Sequence, residues 1–208
     1  MVDRQDAAPD GVPRRGGRPR RSSAEVLADA AAELFLEQGY GRTTVDQIAA
    51  RAGVSRATFF NYFAAKSDVM WLDLDAAVRR LPVLLQASAE PSPVRAVEQA
   101  LLAAAREHDP ERVPWAIAQA EIMGIGAELV GSAAVRLTTQ HGAVAAFVAG
   151  RTGEEVTALR PQTVAGAMLG AAAAAFGVWV QEGVRRRPLA AYVAEALAPV
   201  ASGLESLR

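Results

Sequence analysis

The 208-residue chain contains no cysteine. That one absence excludes disulfides, zinc-thiolate sites, iron-sulfur clusters and thiol nucleophiles, and it suits a cytoplasmic location. Histidine is almost as scarce, with only His108 and His141. No H-E-x-x-H, G-x-S-x-G, P-loop or dinucleotide fingerprint is present. Asp73 and Asp75 stand two positions apart, which sends them to different faces of a helix and denies them an acid/base pairing. The expectation is a protein without catalysis, metal or cofactor. Lysine is reduced to Lys66 alone among 22 basic side chains, the other 21 being arginine.

Aromatic residues are also few. Of the twelve, four fall within the stretch "SRATFFNYF" from Ser55 to Phe63. By contrast 51% of the chain is hydrophobic, ample for a buried core. Charge is unevenly spread although the net value is only -1: residues 11–66 hold nine basic and five acidic side chains, residues 67–208 twelve and fifteen. The basic end is where a polyanion would bind. Residues 1–22 are charged and rich in Pro and Gly, with no apolar run of the kind a secretory signal needs, and read as a disordered basic arm.

From Ser23 onward the periodicity is helical. Leu27, Ala30, Ala31, Leu34 and Phe35 form one apolar stripe, ended by Gly39. Thr44 followed by Gln47 is a capping box that opens a short helix ending at Gly53, and Ser55 can cap the next. The segment reads as helix, glycine-containing turn, helix. Phe59 and Phe63, four apart, share a face that closes a small core with Leu34, Ile48 and Val54. Phe60 and Tyr62 then point outward beside Arg56, Ala57, Thr58 and Asn61. Such a face suits DNA: arginine pairs with guanine edges, Ala or Phe touches a thymine methyl, and Thr, Tyr or Lys holds phosphates.

Residues 27–69, "LADAAAELFLEQGYGRTTVDQIAARAGVSRATFFNYFAAKSDV", resemble the N-terminal DNA-binding domain of TetR-family transcriptional regulators. The resemblance rests on Gly39-Tyr40, Thr43-Thr44, Ile48-Ala49, Ala52-Gly53-Val54-Ser55, Thr58, Tyr62-Phe63 and Lys66. It implies an all-α fold with an N-terminal three-helix helix-turn-helix domain at 23–66. A larger helical ligand-binding and dimerisation domain follows at 67–208, with about nine helices in all. It also implies that Arg56 and Ala57 read bases, that Thr58, Tyr62 and Lys66 hold phosphates, and that Thr44 caps the second helix facing the DNA. Ser55, Phe60 and Asn61 complete the DNA-binding set. Phe60 departs from the tyrosine usual at its position, and Ala64-Ala65 from the usual Pro or Gly followed by a polar cap. "GRPRR" in the arm resembles an AT-hook core, which would place Arg18, Arg20 and Arg21 in a minor groove. A solvated tail is the alternative.

Beyond residue 67 the expected helices run 68–86, 93–108, 115–123, 127–148, 161–181 and 189–204. The eighth, "PQTVAGAMLGAAAAAFGVWVQ", carries no charge over 21 residues. It has the length of a membrane span, but the resemblance implies a helix buried on all sides. Gly166, Gly170, Ala174 and Gly177 form a small-residue stripe suited to a two-fold helix contact, as the family's homodimers imply. Trp115, Gln119, Met123, Phe147, Met168 and Phe176, with Trp179, could line an apolar effector pocket, or could be plain core. No charged residue obviously marks a charged ligand. A similarity of "TFFNYFAAKSDVMW" to regulators of the mycofactocin group implies an acyl or other lipophilic effector. The resulting reading is a ligand-responsive repressor that binds a palindromic operator as a homodimer. An activator or architectural DNA binder without a small ligand is the alternative.

Overall fold

The computed structural model describes residues 23–108, 118–182 and 186–206. The arm residues Arg18, Arg20 and Arg21, and Trp115, lie outside the described residues. All regular structure among the described residues is helical: α1 (Ser23–Gln38), α2 (Val45–Arg51), α3 (Arg56–Tyr62), a 3₁₀ turn (Lys66–Trp71), α4 (Leu72–Gln86), α5 (Pro93–Arg106), α6 (Ala120–Met123), α7 (Gly126–Thr152), α8 (Leu159–Gln181) and α9 (Leu189–Glu205).

The first three helices are set by local chemistry. At the end of α1, Gly39 adopts φ +82°, a left-handed conformation in which a Cβ is disfavoured. In the capping box of α2 the backbone N–H of Gln47 donates to Thr44 Oγ1 at 3.2 Å and that of Thr44 to Gln47 Oε1 at 2.8 Å. Gly53, at φ +70°, makes the turn, and Ser55 Oγ accepts the Thr58 N–H at 3.1 Å to start α3. Each such cap contributes about 1 kcal/mol. The bidentate contact of Arg51 with Glu37 and its bond to Glu33 tie α2 to α1 across the surface.

Helix α4 begins at Leu72 and not at 68, and its indistinct start, capped from elsewhere, is the one the Ala64-Ala65 departure leads one to expect. The polar N-cap is absent at Ala65, and the chain runs through the 3₁₀ turn before α4 proper starts at Leu72. The cap comes from inside the turn, where Asp68 Oδ2 accepts the Ala65 N–H at 2.8 Å. Of the helix expected at 115–123, the described part is Ala118, helical by itself, a turn at Gln119 and α6 at Ala120–Met123; residues 115–117 lie outside the described residues.

Two apolar clusters hold the chain together. In the larger one α8 packs between α7 and α9, and α9 lies on α5; Val144, Val148, Met168, Trp179 and Leu197 are among its fully buried members. The other joins Leu27, Phe35, Ile48, Phe59 and Phe63 to Val69, Met70 and Trp71, and equally to Met123, Ile125 and Leu129 from α6 and the start of α7. The Tyr40 N–H donates to the Met123 carbonyl at 3.3 Å along the same seam. Position 66 therefore divides the sequence but not this core.

Helix α8 is not buried on all sides within one chain. Its inner face carries Val164, Met168 and Trp179, whereas Gly166, Gly170 and Ala174 are exposed and Gly177 is half-buried. By length and composition α8 could cross a membrane, as the one described helix that could. Its inner side chains sit in the core of a helical bundle instead.

Candidate functional site: the helix-turn-helix head and an apolar cavity

In the head, Phe59 is fully buried and Phe63 nearly so, 5.4 Å apart between ring centres. This fixes the rotation of α3. Phe60 and Tyr62 are left 45% and 50% exposed, in company with exposed Arg56, Ala57 and Asn61, while Thr58 is half-buried. Arg56 is held in place from two sides. Its Nη1 meets Asp46 Oδ1 on α2 at 2.8 Å, and its guanidinium lies 5.3 Å from the centre of the Phe60 ring, one turn along α3. The aromatic ring at position 60 thus supports the arginine without needing a hydroxyl. Ser55 Oγ and Thr58 Oγ1 hydrogen-bond to each other at 2.9 Å.

Lys66 is placed differently from its neighbours. Its Nζ donates to the carbonyls of Tyr40 and Thr43, both at 2.7 Å, and stands 3.8 Å from the centre of the Tyr40 ring. Burial holds its pKa below the usual lysine value, partly opposed by the charge of Glu128. Two of its three N–H groups are thereby committed to the loop ahead of α2. Lys66→Met is expected to leave two carbonyls without this donor and to lower stability by about 1–3 kcal/mol. Thermal melting would show it, and a melt unchanged from wild type would return Lys66 to a purely DNA-facing role.

Beneath the head a cavity of about 410 Å³ opens between α4, α5, α7, α8 and α9. That volume lies in the roughly 300–1,000 Å³ range of small-molecule sites. The walls are chiefly apolar, with Leu74, Val78, Leu81, Leu129, Leu169 and Phe176 among them. A few polar side chains converge on it: Asp75, His108, Arg136 and Gln140. His108 is buried and meets Trp179 edge-on at 5.2 Å. The Arg136 guanidinium bridges Asp75 and Asp68, with Nε to Asp75 Oδ1 at 2.7 Å and Nη2 to Asp68 Oδ1 at 3.1 Å. No cluster of His, Asp or Glu suited to a metal occurs among the described residues.

Comparison with known proteins bears on both halves. Residues 27–70 match the model of bacterial regulatory proteins of the tetR family, and residues 91–205 match that of the MftR C-terminal domain. The chain belongs to the TetR family of transcriptional regulators. MftR of Mycobacterium tuberculosis, named for transcriptional regulation of mycofactocin biosynthesis, is 31% identical over 168 residues, covering 81% of this chain and 85% of that protein. Among solved structures, the fatty acid degradation regulator FadR of Bacillus halodurans has a TM-score of 0.56 at 19% identity, covering 92% of this chain and 99% of its own. FadR of Bacillus subtilis, solved in complex with stearoyl-CoA, has a TM-score of 0.54 at 20% identity, covering 86% and 98%. These likenesses fix the fold, a TetR head on a helical C-terminal domain.

For this TetR regulator the sequence-predicted residues fall out unequally. Of the set expected to face DNA, Arg56, Ala57, Phe60, Asn61 and Tyr62 lie together on α3, with Thr44, Ser55 and Thr58 at the helix starts. Of the residues expected at a pocket, Phe176 lines the cavity. Met168 is fully buried in the larger core and Met123 in the core of the head. Phe147 packs beside the larger core under Arg151, and Gln119 is exposed. The cavity lies nearer to α4 and α7 than those residues imply, because the inner side of α8 at Met168 is closed by other helices.

Arg136 and Asp75 bring charge to the cavity wall, paired with each other. Their signal was present in the sequence. Arg136 interrupts the apolar row Leu129, Ala133, Leu137, and Asp75 sits between Leu74 and Val78.

Proposed function

We propose that the protein is a ligand-responsive repressor acting in the cytoplasm, which binds a palindromic operator as a homodimer and leaves it when a small apolar effector fills the cavity. One observation carries this reading: α4, which follows directly on the head, is itself a wall of the cavity through Leu74, Asp75, Val78 and Leu81. An occupant that favours one position of α4 over another gives the differential affinity without which no ligand shifts an equilibrium. The lining accepts an apolar body, such as an acyl chain of the kind present in the stearoyl-CoA complex of Bacillus subtilis FadR. The exposed small-residue face of α8 supports a two-fold pairing, which would set two copies of α3 in successive major grooves about 34 Å apart.

Selection from random duplex DNA at near-physiological salt tests the reading, since non-specific phosphate binding is suppressed there. Enrichment of an inverted repeat, with release of the bound DNA by apolar ligands, is the expected result. Failure to enrich any sequence, in protein stripped of ligand, would overturn it. On the selected operator, Arg56→Ala is expected to cost about 1–3 kcal/mol and to relax preference at one position in each half-site. Equal losses on operator and random DNA would show that Arg56 touches phosphate and reads no base.

A further inference from the structure

Arg136 is engaged by both the cavity wall and the junction that carries the head. Its Nε and Nη2 take the two carboxylate oxygens of Asp75 at 2.7 and 2.8 Å. Nη2 also donates to Asp68 Oδ1 at 3.1 Å, Nη1 reaches the Ser132 carbonyl at 3.4 Å, and the guanidinium lies 4.9 Å from the centre of the Trp71 ring. One turn back on α7, Ser132 Oγ accepts the Trp71 indole N–H at 2.8 Å. Asp68, Trp71 and Asp75, spaced by three and four, thus present one face of the 3₁₀ turn and α4 to Ser132 and Arg136.

These contacts continue into the head. The second oxygen of Asp68 accepts the Ala65 N–H just beyond α3, and Lys66 next to it holds the carbonyls of Tyr40 and Thr43 ahead of α2. Two sets of polar contacts, joined through the Ala65–Lys66 peptide link, therefore run from the cavity wall to the segments behind α3 and ahead of α2. Their weak point can be located. With Arg79 Nη1 4.0 Å from Asp75 Oδ2, the two arginines and two carboxylates balance in charge, and Asp75 alone holds the Arg136 guanidinium through a two-point contact. Asp68 holds Arg136 by one longer bond, so a small displacement of Arg136 breaks that bond first.

We propose that Arg136 is the positioning residue through which the cavity governs the head. In the arrangement described it holds Asp68 and fixes the 3₁₀ turn. An occupant between α4 and α7 that shifts the guanidinium, or offers it another acceptor, frees Asp68 and loosens the turn behind α3. This rests on the reading of the cavity as an effector site and of α3 as the DNA reader.

The test uses the full chain with Arg136→Met and, separately, Asp68→Asn, which keeps an acceptor for Ala65 while removing the charge that Arg136 holds. Hydrogen exchange is expected to quicken about tenfold or more in residues 64–71 and in α3, with α8 and α9 unchanged, and the double variant to be no worse than the poorer single one. On a selected operator each variant is expected to bind about tenfold more weakly, a loss of the size typical of coupling through a contact network. Exchange that quickens throughout the chain or nowhere, or losses that multiply in the double variant, would overturn the proposal. So would local loosening without loss of operator affinity. Should Arg136→Met fail to fold, Asp68→Asn gives the same readouts. If no operator can be selected the repressor reading fails, and hydrogen exchange still decides whether Arg136 holds the head.

Discussion

Gly170→Glu is expected to give a folded monomer that binds its operator about 10²- to 10⁴-fold more weakly, because two half-sites are then no longer engaged by one linked pair of heads. Gly170 is exposed on α8, and a Cβ added there meets nothing within 4 Å in the single chain. The substitution therefore leaves the packing of α8 against α7 and α9 untouched, and replacing helical glycine is itself favourable to the helix. What it disturbs is a close approach by a second copy, which the row of Gly166, Gly170, Ala174 and Gly177 would allow. Light scattering separates the outcomes. A dimer that survives Gly170→Glu would move the two-fold interface off this face, and a variant with reduced helicity would show that the residue serves the fold.

Phe59→Ala is expected to cost about 3–5 kcal/mol, the range for removing a buried phenyl group. The ring has no solvent exposure. It contacts Phe63 at 5.4 Å and Phe60 edge-on at the same distance. Its loss opens a void at the centre of the head and lets α3 rotate, so DNA binding should fall further than for any substitution on the outer face. Exchange of the amides of α1–α3, followed alongside operator affinity, would check this. Weak binding with a fully protected head would mean that Phe59 acts on recognition by some route other than packing.

Legibility in the sequence follows the range over which each feature is determined. The caps at Thr44 and Ser55, the stops at Gly39 and Gly53, and the pairing of Phe59 with Phe63 depend on residues a few positions apart, and they stand in the structure where their spacing puts them. Lys66 shows the limit. Its type and place match the family's phosphate-binding position, but its partners are carbonyls 23 and 26 residues earlier in the chain, a relation that no local pattern records. The cavity is harder still, since apolar residues at helical spacing look alike whether a facing helix covers them or leaves a gap. Met168 and Phe176 illustrate this on one helix: the first is sealed in the core and the second opens on the cavity. Polar interruptions of an apolar row are more informative than the row itself, and Arg136 is such an interruption.

The seam between Tyr40 and Met123 bears on how such a protein can be recombined. Since Met123, Ile125 and Leu129 complete the core around Phe35 and Phe59, the head is not an interchangeable module. A gene fusion joined at residue 66 would set the apolar faces of α1 and the 3₁₀ turn against side chains from a foreign α6 and α7. A working chimera has to bring its own α6 and the first turn of α7 along with the head, or redesign both sides of the seam together. In the divergence of duplicated genes the same constraint couples drift in the residues around Met123 to drift in α1, although more than eighty positions of chain lie between them.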